Sequence, residues 1–231
     1  GPRGLGGRGG GAAGPPPERG YVLETTWRRH PTLTGVVSDL AYEGRRGSRE
    51  AVTAARVLEG VEPGLHLRLV DHRDNSTHSP EEAATTVELV RSLLGRAWTD
   101  PGEMADDGRP RGARPFVQND VIVITPYNAQ SGLLRRVLDD AGLADVRVGT
   151  VDRFQGQEAA VAILSLAASS RSDVSRGMGF LLDRHRLNVA VSRGQFASFV
   201  VRSEVLTDFA PRTPDELVAL AAFLRLCARS A

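Results

Sequence analysis

The chain has 231 residues, 41% of them apolar, and a formal net charge of +1. It can therefore bury a core of one large or two small domains, and it has no global basic signature of a nucleic-acid binder. All 29 basic residues are arginine, so neither a GxxxxGK[ST] phosphate loop nor a nuclease site built on a catalytic lysine exists in it.

Residues 1–20, GPRGLGGRGGGAAGPPPERG, hold too little apolar surface to order themselves and read as a disordered linker or loop. The missing initiator Met fits a fragment of a longer protein, and residues 21–231 read as one α/β domain. Pro31 opens a helical pattern with Leu33, Val36, Val37 and Leu40 on one face. LHLRLV (65–70) alternates as a strand. The following DHRDNSTH holds Asp71, His72, Asp74 and His78, whose spacing matches no metal-ligand pattern; it reads as a solvated loop. Ser79 caps the next helix, with Pro80 at its first position, Glu82 as the capping-box acid and Gly95 at its close. TDPGEMADDGRPRGARP (99–115) reads as an exposed loop.

VIVIT (121–125) is a continuous apolar run, as in a strand buried on both faces. A helix follows with Leu133, Leu134, Val137 and Leu138 on one face. Then come strands VRVGT and AVAILSL, helix RLNVAVSR and strand FASFVV. The last helix has a capping box from Thr213 to Glu216. Cys227 in that helix reads as a small buried hydrophobe, and a single cysteine allows no internal disulfide. No apolar run of about 18 residues spans a membrane and the Gly-rich start has no signal-peptide core, so the expected setting is the cytoplasm. Strands alternating with helices imply a mostly parallel sheet covered on both faces, with ligands at the carboxyl ends of the strands. Four polar clusters are assigned to such ends or to helix starts: TTWRRHP (25–31), TPYNAQ (125–130), TVDRFQGQE (150–158) and HRLNVAVSRG (185–194).

The residues of each cluster suit two readings. Arg186 and Arg193 stand seven apart, two turns along a largely apolar helix, and share a face. They meet either carboxylates in a structural network or the oxygens of a phosphate. Trp27 beside Arg28 is either a core tryptophan or an aromatic platform for a base. Gly156 allows close approach of a ligand to the backbone, and Gln155 and Glu158 suit hydroxyls or an ordered water. Thr125 and Tyr127 at a strand end suit sugar–phosphate contacts, or the turn is ordinary with Asn128 as helix cap.

In their order along the chain, WRRHP (27–31), TPYNAQ (125–130), VDRFQGQE (151–158) and LNVAVSRG (187–194) resemble the motifs of the second, C-terminal RecA-like domain of superfamily 1B helicases. The similarity runs from about Tyr21 to Val201, and LETTWRRHPTLTGVVSDLAYEGR looks most like bacterial members fused to a RecB-like nuclease. The resemblance implies an α/β, RecA-like fold without its own Walker A loop. It implies that Arg193 and Arg28 reach the γ-phosphate of ATP as catalytic arginines. Trp27 stacks on adenine, Glu158 contacts the ribose, Gln155 with Gly156 binds on the nucleotide side and links it to nucleic acid, and Arg186 completes the nucleotide side. Thr125, Pro126, Tyr127, Thr150 and Val151 line a single-strand track that reads no sequence. The Walker lysine, the Mg²⁺ ligands and the water-activating Glu belong to a first RecA-like domain not in this chain, so the fragment alone is expected not to hydrolyse ATP. The implied partners are that first domain, single-stranded DNA or RNA, and a RecB-like nuclease domain in the same parent protein; a strand-binding module without motor action is the alternative. Trp27 departs from the family's Tyr, and Gly194 and Gln195 replace a small-then-basic pair, with Gly194 expected to end the helix.

Overall fold

The run Val121–Thr125, strand β7, is buried at every position and lies inside the main sheet, between two neighbouring strands. The computed structural model describes residues 25–26, 29–42, 47–48, 53–154, 156–174 and 176–230. Trp27, Arg28, Gln155 and the stretch 1–20 lie outside the described residues.

Among the described residues ten strands and six α-helices follow in chain order. The strands are β1 (Thr25–Thr26), β2 (Gly47–Ser48), β3 (Val57–Leu58), β4 (Gly64–Val70), β5 (Ala97–Thr99), β6 (Arg114–Pro115), β7, β8 (Arg147–Thr150), β9 (Ala159–Ser165) and β10 (Gly194–Ser203). The helices are α1 (Pro31–Tyr42), α2 (Pro80–Leu93), α3 (Asn128–Asp140), α4 (Met178–Leu181), α5 (Arg184–Val191) and α6 (Pro214–Cys227). The main sheet has the order β4-β10-β9-β7-β8, with every neighbouring pair parallel. β3, β5 and β6 make a small antiparallel sheet, and β1 pairs with β2 in parallel.

Two cores follow from the period of two along a strand. Ile122, Ile124, Ala162, Leu164 and Val200 face one side and pack with Leu33 of α1, Leu187 of α5 and Phe223 of α6. Val121, Val123, Val161, Ile163 and Val201 face the other and pack with Val90 of α2 and Leu134 of α3. A sheet covered on both faces needs continuous apolar strands, which is why β7 and β9 have no polar interior position.

The helix starts differ in detail from their sequence patterns. Ser79 caps α2, its Oγ accepting from Glu82 N at 3.1 Å, and Gly95 follows the helix with φ +79°. The Glu82 side chain does not close a capping box, because it is drawn into the core, as described below; Ser79 N donates instead to Gln130 Oε1 at 2.8 Å. Asn128 is the first residue of α3 and not its cap; Tyr127 holds the cap position without a side-chain bond. At α6, Thr213 Oγ1 accepts from Glu216 N at 3.2 Å, while the Glu216 carboxylate takes Arg212 N at 2.8 Å and Arg171 Nη2 at 2.7 Å. α5 stops at Val191 with Ser192 as its C-cap, so Arg193 lies outside the helix. Gly194 does not end that helix but opens β10.

The stretch 99–115 joins β5 to β6 in an antiparallel hairpin. Its ends are anchored: Asp100 Oδ2 accepts from Arg56 Nε at 2.9 Å in a buried pair, and Arg114 forks onto Glu103 (2.7 Å) and Asp120 (2.6 Å). Both acids hold the Arg114 guanidinium well above its ordinary range. Among the described residues no helix is long and apolar enough to cross a membrane.

Candidate functional site

The register of the parallel sheet fixes where each polar cluster lies. Ala159 pairs with Gly194 at the starts of β9 and β10. Thr125 pairs with Thr150 at the ends of β7 and β8, one step beyond the pairing of Ile124 with Leu164. Across the seven residues of β9, the two ends are about 20 Å apart at about 3.3 Å per residue. The clusters lie at strand ends or helix starts as the sequence pattern implies, but divide between opposite edges of the sheet. The connection 151–158 descends from the end of β8 to the start of β9, so its two halves belong to different edges.

The amino edge gathers Arg193, Glu158 and Gln195. Arg193 O accepts from Ala159 N at 3.0 Å, locking the residue to the start of β9. Its guanidinium folds back, with Nε donating to Val189 O at 2.9 Å and Nη1 to the carbonyls of Phe154 and Gln157, each at 3.4 Å. Gln195 Nε2 reaches Glu158 Oε2 at 3.4 Å. Arg29 and His30 of the WRRHP cluster arrive at the same place: His30 N donates to Gln195 O at 2.7 Å and Arg29 Nε to Ser192 O at 3.0 Å. The His30 ring sits edge-on to Phe196. Burial pushes its pKa below the ordinary value, and the nearby Arg56 charge adds to the fall.

Glycines shape this edge. Gly156 adopts φ +83°, the left-handed conformation that a side chain disfavours. At Gly194, a Cβ would stand 2.5 Å from Ala197 O and against Ser198 Oγ. The register shifts between Gly194 and Ala197, and only a residue without a side chain lets β10 make that irregularity. The glycine that departs from the motif is thus required by the local backbone. Arg147 was missed in the sequence. Its Nη2 donates to Glu158 O at 3.2 Å and Asn119 O at 3.1 Å, and burial pushes its pKa down.

The carboxyl edge carries Thr125, Pro126, Tyr127, Thr150 and Val151. The Thr125 side chain is fully buried, and Tyr127 is 5% exposed with its ring tilted against Phe180 at 6.0 Å. Pro126, Thr150 and Val151 are half-buried. The side chains of those three residues are accessible at this edge, whereas those of Thr125 and Tyr127 are buried. Pro126, Val151, Leu164, Phe180, Arg186 and Leu187 line a cavity here. Arg186 is therefore on this edge, 4.4 Å from the Phe180 ring centre, and Arg193 is on the other. The two arginines do not share a target, because the helix that would have aligned them ends two residues before Arg193.

The sequence profile of the AAA_12 family, described as an AAA domain, matches residues 12–204. The chain belongs to this family. The AAA_12 domain is the C-terminal RecA-like domain of superfamily 1B helicases of the Upf1/Dna2 type. The chain is 29% identical over 216 residues to the 3'-5' exoribonuclease HELZ2 of Mus musculus, covering 82% of this chain and 7% of that protein. It is 46% identical over 74 residues to the DNA polymerase alpha-associated DNA helicase A of Schizosaccharomyces pombe, covering 32% of this chain and 11% of that one. It is 28% identical over 197 residues to a putative regulator of nonsense transcripts 1 of Takifugu rubripes, covering 78% and 16%. The chain thus spans between 7% and 16% of the length of these relatives. A solved C-terminal domain of a possible DNA helicase from a Lactobacillus aligns with a TM-score of 0.44 at 12% identity, over 85% of this chain and 93% of that one.

The AAA_12 domain also encloses a polar network that the sequence did not reveal. Glu82 and His72, with fully buried side chains, meet through Oε1 and Nε2 at 3.0 Å. Asn75 Nδ2 points at His72 Nδ1 at 3.1 Å. That amide nitrogen only donates, so Nδ1 accepts and Nε2–H donates to Glu82. Glu82 Oε2 accepts from Ser165 Oγ at 2.7 Å and from Ala167 N at 3.0 Å. Gln130 Nε2 donates to Ser165 Oγ at 2.9 Å. The loop after β4 is thus not simply solvated: His72 is 4% exposed and its ring is spent on this network. Among the described residues no group of three or more His, Cys, Asp and Glu is arranged to hold a metal ion.

Proposed function

We propose that this chain is the second motor domain of an ATP-dependent helicase acting on single-stranded DNA, and that it completes an ATP site built mainly by a first RecA-like domain of the same parent protein. The observation that carries the reading is the meeting of Arg193, Glu158 and Gln195 at the paired starts of β9 and β10, on the edge opposite the Thr125–Val151 cluster. Such a domain has one edge for nucleotide and one for strand.

The residues present fit half of a nucleotide site: a guanidinium, a carboxylate and a left-handed glycine turn. The chain has no lysine to hold phosphates, so the Walker lysine and the Mg²⁺ ligands come from the first domain. Bound there, ATP with Mg²⁺ supplies the phosphoryl group that is transferred to water. Arg193 neutralises the charge that develops on it, exchanging its two longer carbonyl contacts for phosphoryl oxygens while Nε stays on Val189 O. Glu158 receives the ribose hydroxyls. Trp27, Arg28 and Gln155 complete this side, and Pro126, Thr150 and Val151 carry the strand by shape and backbone. DNA is chosen over RNA from the similarity to the DNA polymerase alpha-associated DNA helicase A and from the resemblance of LETTWRRHPTLTGVVSDLAYEGR to nuclease-fused members.

One observation favours the alternative, a strand-binding module without motor action: Arg193 is already bonded to three carbonyls of its own domain. The deciding experiment is ATP turnover by the full-length parent protein, with and without single-stranded DNA, for wild type and Arg193→Ala. DNA-stimulated turnover that falls by about 10²-fold or more in the variant supports the motor. Turnover indifferent to Arg193 makes it a structural residue, and strand binding without turnover in wild type establishes the module.

A further inference from the structure

Three arginines between the end of β9 and the interior of α5, namely Arg171, Arg176 and Arg186, have different fates. Arg171 is spent on Glu216 at 2.7 Å. Arg176 and Arg186 both turn to one ring, with guanidinium carbons 4.3 Å and 4.4 Å from the centre of Phe180. Among the described residues neither guanidinium forms an ion pair, although both side chains are exposed and the chain has 28 acids to offer. Asp183, the nearest acid in sequence to Arg186, is used as the cap of α5 through Arg186 N at 2.8 Å.

Two like charges held on one ring repel each other. The ring's negative faces hold each cation, but they do not neutralise it. An arrangement of this kind is completed by an anion, and a planar guanidinium stacked on a ring keeps its edge donors free for phosphoryl oxygens. Its neighbours say which anion. Phe180 and Arg186 line the same cavity as Pro126 and Val151 at the carboxyl edge, and Phe180 tilts against Tyr127. An apolar floor with Arg186 in its lining, and Arg176 on the Phe180 ring that shares that lining, suits a phosphate chain whose bases or sugars rest on apolar surface.

We propose that Arg176 and Arg186, braced on Phe180, form a phosphate clamp for single-stranded nucleic acid that extends the track beyond Pro126 and Val151. This moves Arg186 from the nucleotide side to the strand side. The inference rests on the reading of the carboxyl edge as the strand edge. Phe180 is a positioning residue: it fixes both guanidinium groups in one orientation and lowers the cost of ordering two long side chains.

The test is fluorescence anisotropy of a labelled oligo-dT of about 15 nucleotides with the full-length protein, without nucleotide, at several salt concentrations. The variants are R176A/R186A, R176K/R186K and F180A. We expect the double alanine variant to lose about tenfold in affinity, and its slope of log K against log salt to fall by about 1.4, at about 0.7 for each lost phosphate contact. The double lysine variant restores the slope but not the full affinity, because it keeps the charge without the stacked plane. F180A weakens binding with the slope nearly unchanged.

Unchanged affinity and slope in the double alanine variant overturn the clamp, as does a slope that lysines fail to restore. Turnover of the same preparations, with Arg193→Ala beside them, separates the two readings. Arg193-dependent, strand-stimulated turnover with an unaffected double alanine variant sinks the clamp and leaves the motor. A weakened double variant with turnover indifferent to Arg193 supports the clamp and sinks the motor. Wild-type protein that binds no strand sinks both.

Discussion

Replacing Glu82 removes the acceptor for three buried donors at once: His72 Nε2–H at 3.0 Å, Ser165 Oγ at 2.7 Å and Ala167 N at 3.0 Å. In Glu82→Ala the site is too enclosed for water to replace the carboxylate freely, since Glu82, Ser165 and Ala167 are each 0% exposed. A buried donor left unmade costs about 1–3 kcal/mol, and donors to charged groups stand at the upper end. Three such losses, partly relieved by rotation of Ser165 and His72, come to about 3–5 kcal/mol, the range for breaking one partner out of a buried polar pair. Glu82→Gln keeps the shape but sets an NH₂ against donors, so it costs about 2–3 kcal/mol. Ala167 adds a local consequence. Its φ of +66° is a left-handed conformation for a residue with a Cβ, and the Glu82 bond to its N–H helps to hold it there. Urea unfolding followed by circular dichroism measures both variants. A loss below about 1 kcal/mol in Glu82→Ala would refute the reasoning and mean that the network is relaxed or hydrated.

Three further outcomes follow from the geometry. Gly194→Ala places a Cβ 2.5 Å from Ala197 O, so the start of β10 must shift; we expect a loss of about 1–3 kcal/mol, seen as a lower Tm, together with weaker nucleotide binding because Arg193 and Gln195 flank the shift. Arg114→Ala leaves Glu103 and Asp120 facing each other at the hairpin base; partial exposure of this network limits the loss to about 1–2 kcal/mol, measured by urea unfolding. Burial depresses the folded-state pKa of His30 and His66, so the unfolded chain binds more protons as pH falls through about 6.5. Stability is then full above that pH and declines toward pH 5; a stability that rises over this interval would contradict the buried, uncharged state of both rings.

Most of the fold was legible because strong local signals agreed with the tertiary outcome. VIVIT is apolar at its first four positions and forms an interior parallel strand, and Ser79-Pro80 and Thr213-Pro214 open helices as their caps require. What failed were readings in which a side chain had two uses. Glu82 has capping-box spacing, but a carboxylate one turn into a helix that packs on a sheet end can also satisfy donors at that end, and three donors outweighed one. His72 sat in a run of polar residues that looked solvated, and only the fold brings Ser169 and Glu82 to both of its nitrogens. The sequence located the polar clusters but not their edges, since the eight residues 151–158 read as one turn while they cross the height of the sheet.

The division into two edges makes α5 the element that joins them. Its eight residues span about 12 Å at about 1.5 Å each, with Arg186 near one end beside Pro126 and Val151, and Arg193 just past the other against Phe154 and Gln157. Leu187, Ala190 and Val191 pin the helix to the core between them, so it moves as a rigid piece or not at all. The connection 151–158 runs between the same two places, with Val151 at the cavity beside Pro126 and Arg186 and the Phe154 and Gln157 carbonyls holding Arg193. A displacement of the 151–158 turn by a bound strand would therefore alter two of the bonds that restrain Arg193, those to the Phe154 and Gln157 carbonyls. Coupling of strand binding to arginine position needs no distant relay in this fold, because one short helix and one short turn share both ends.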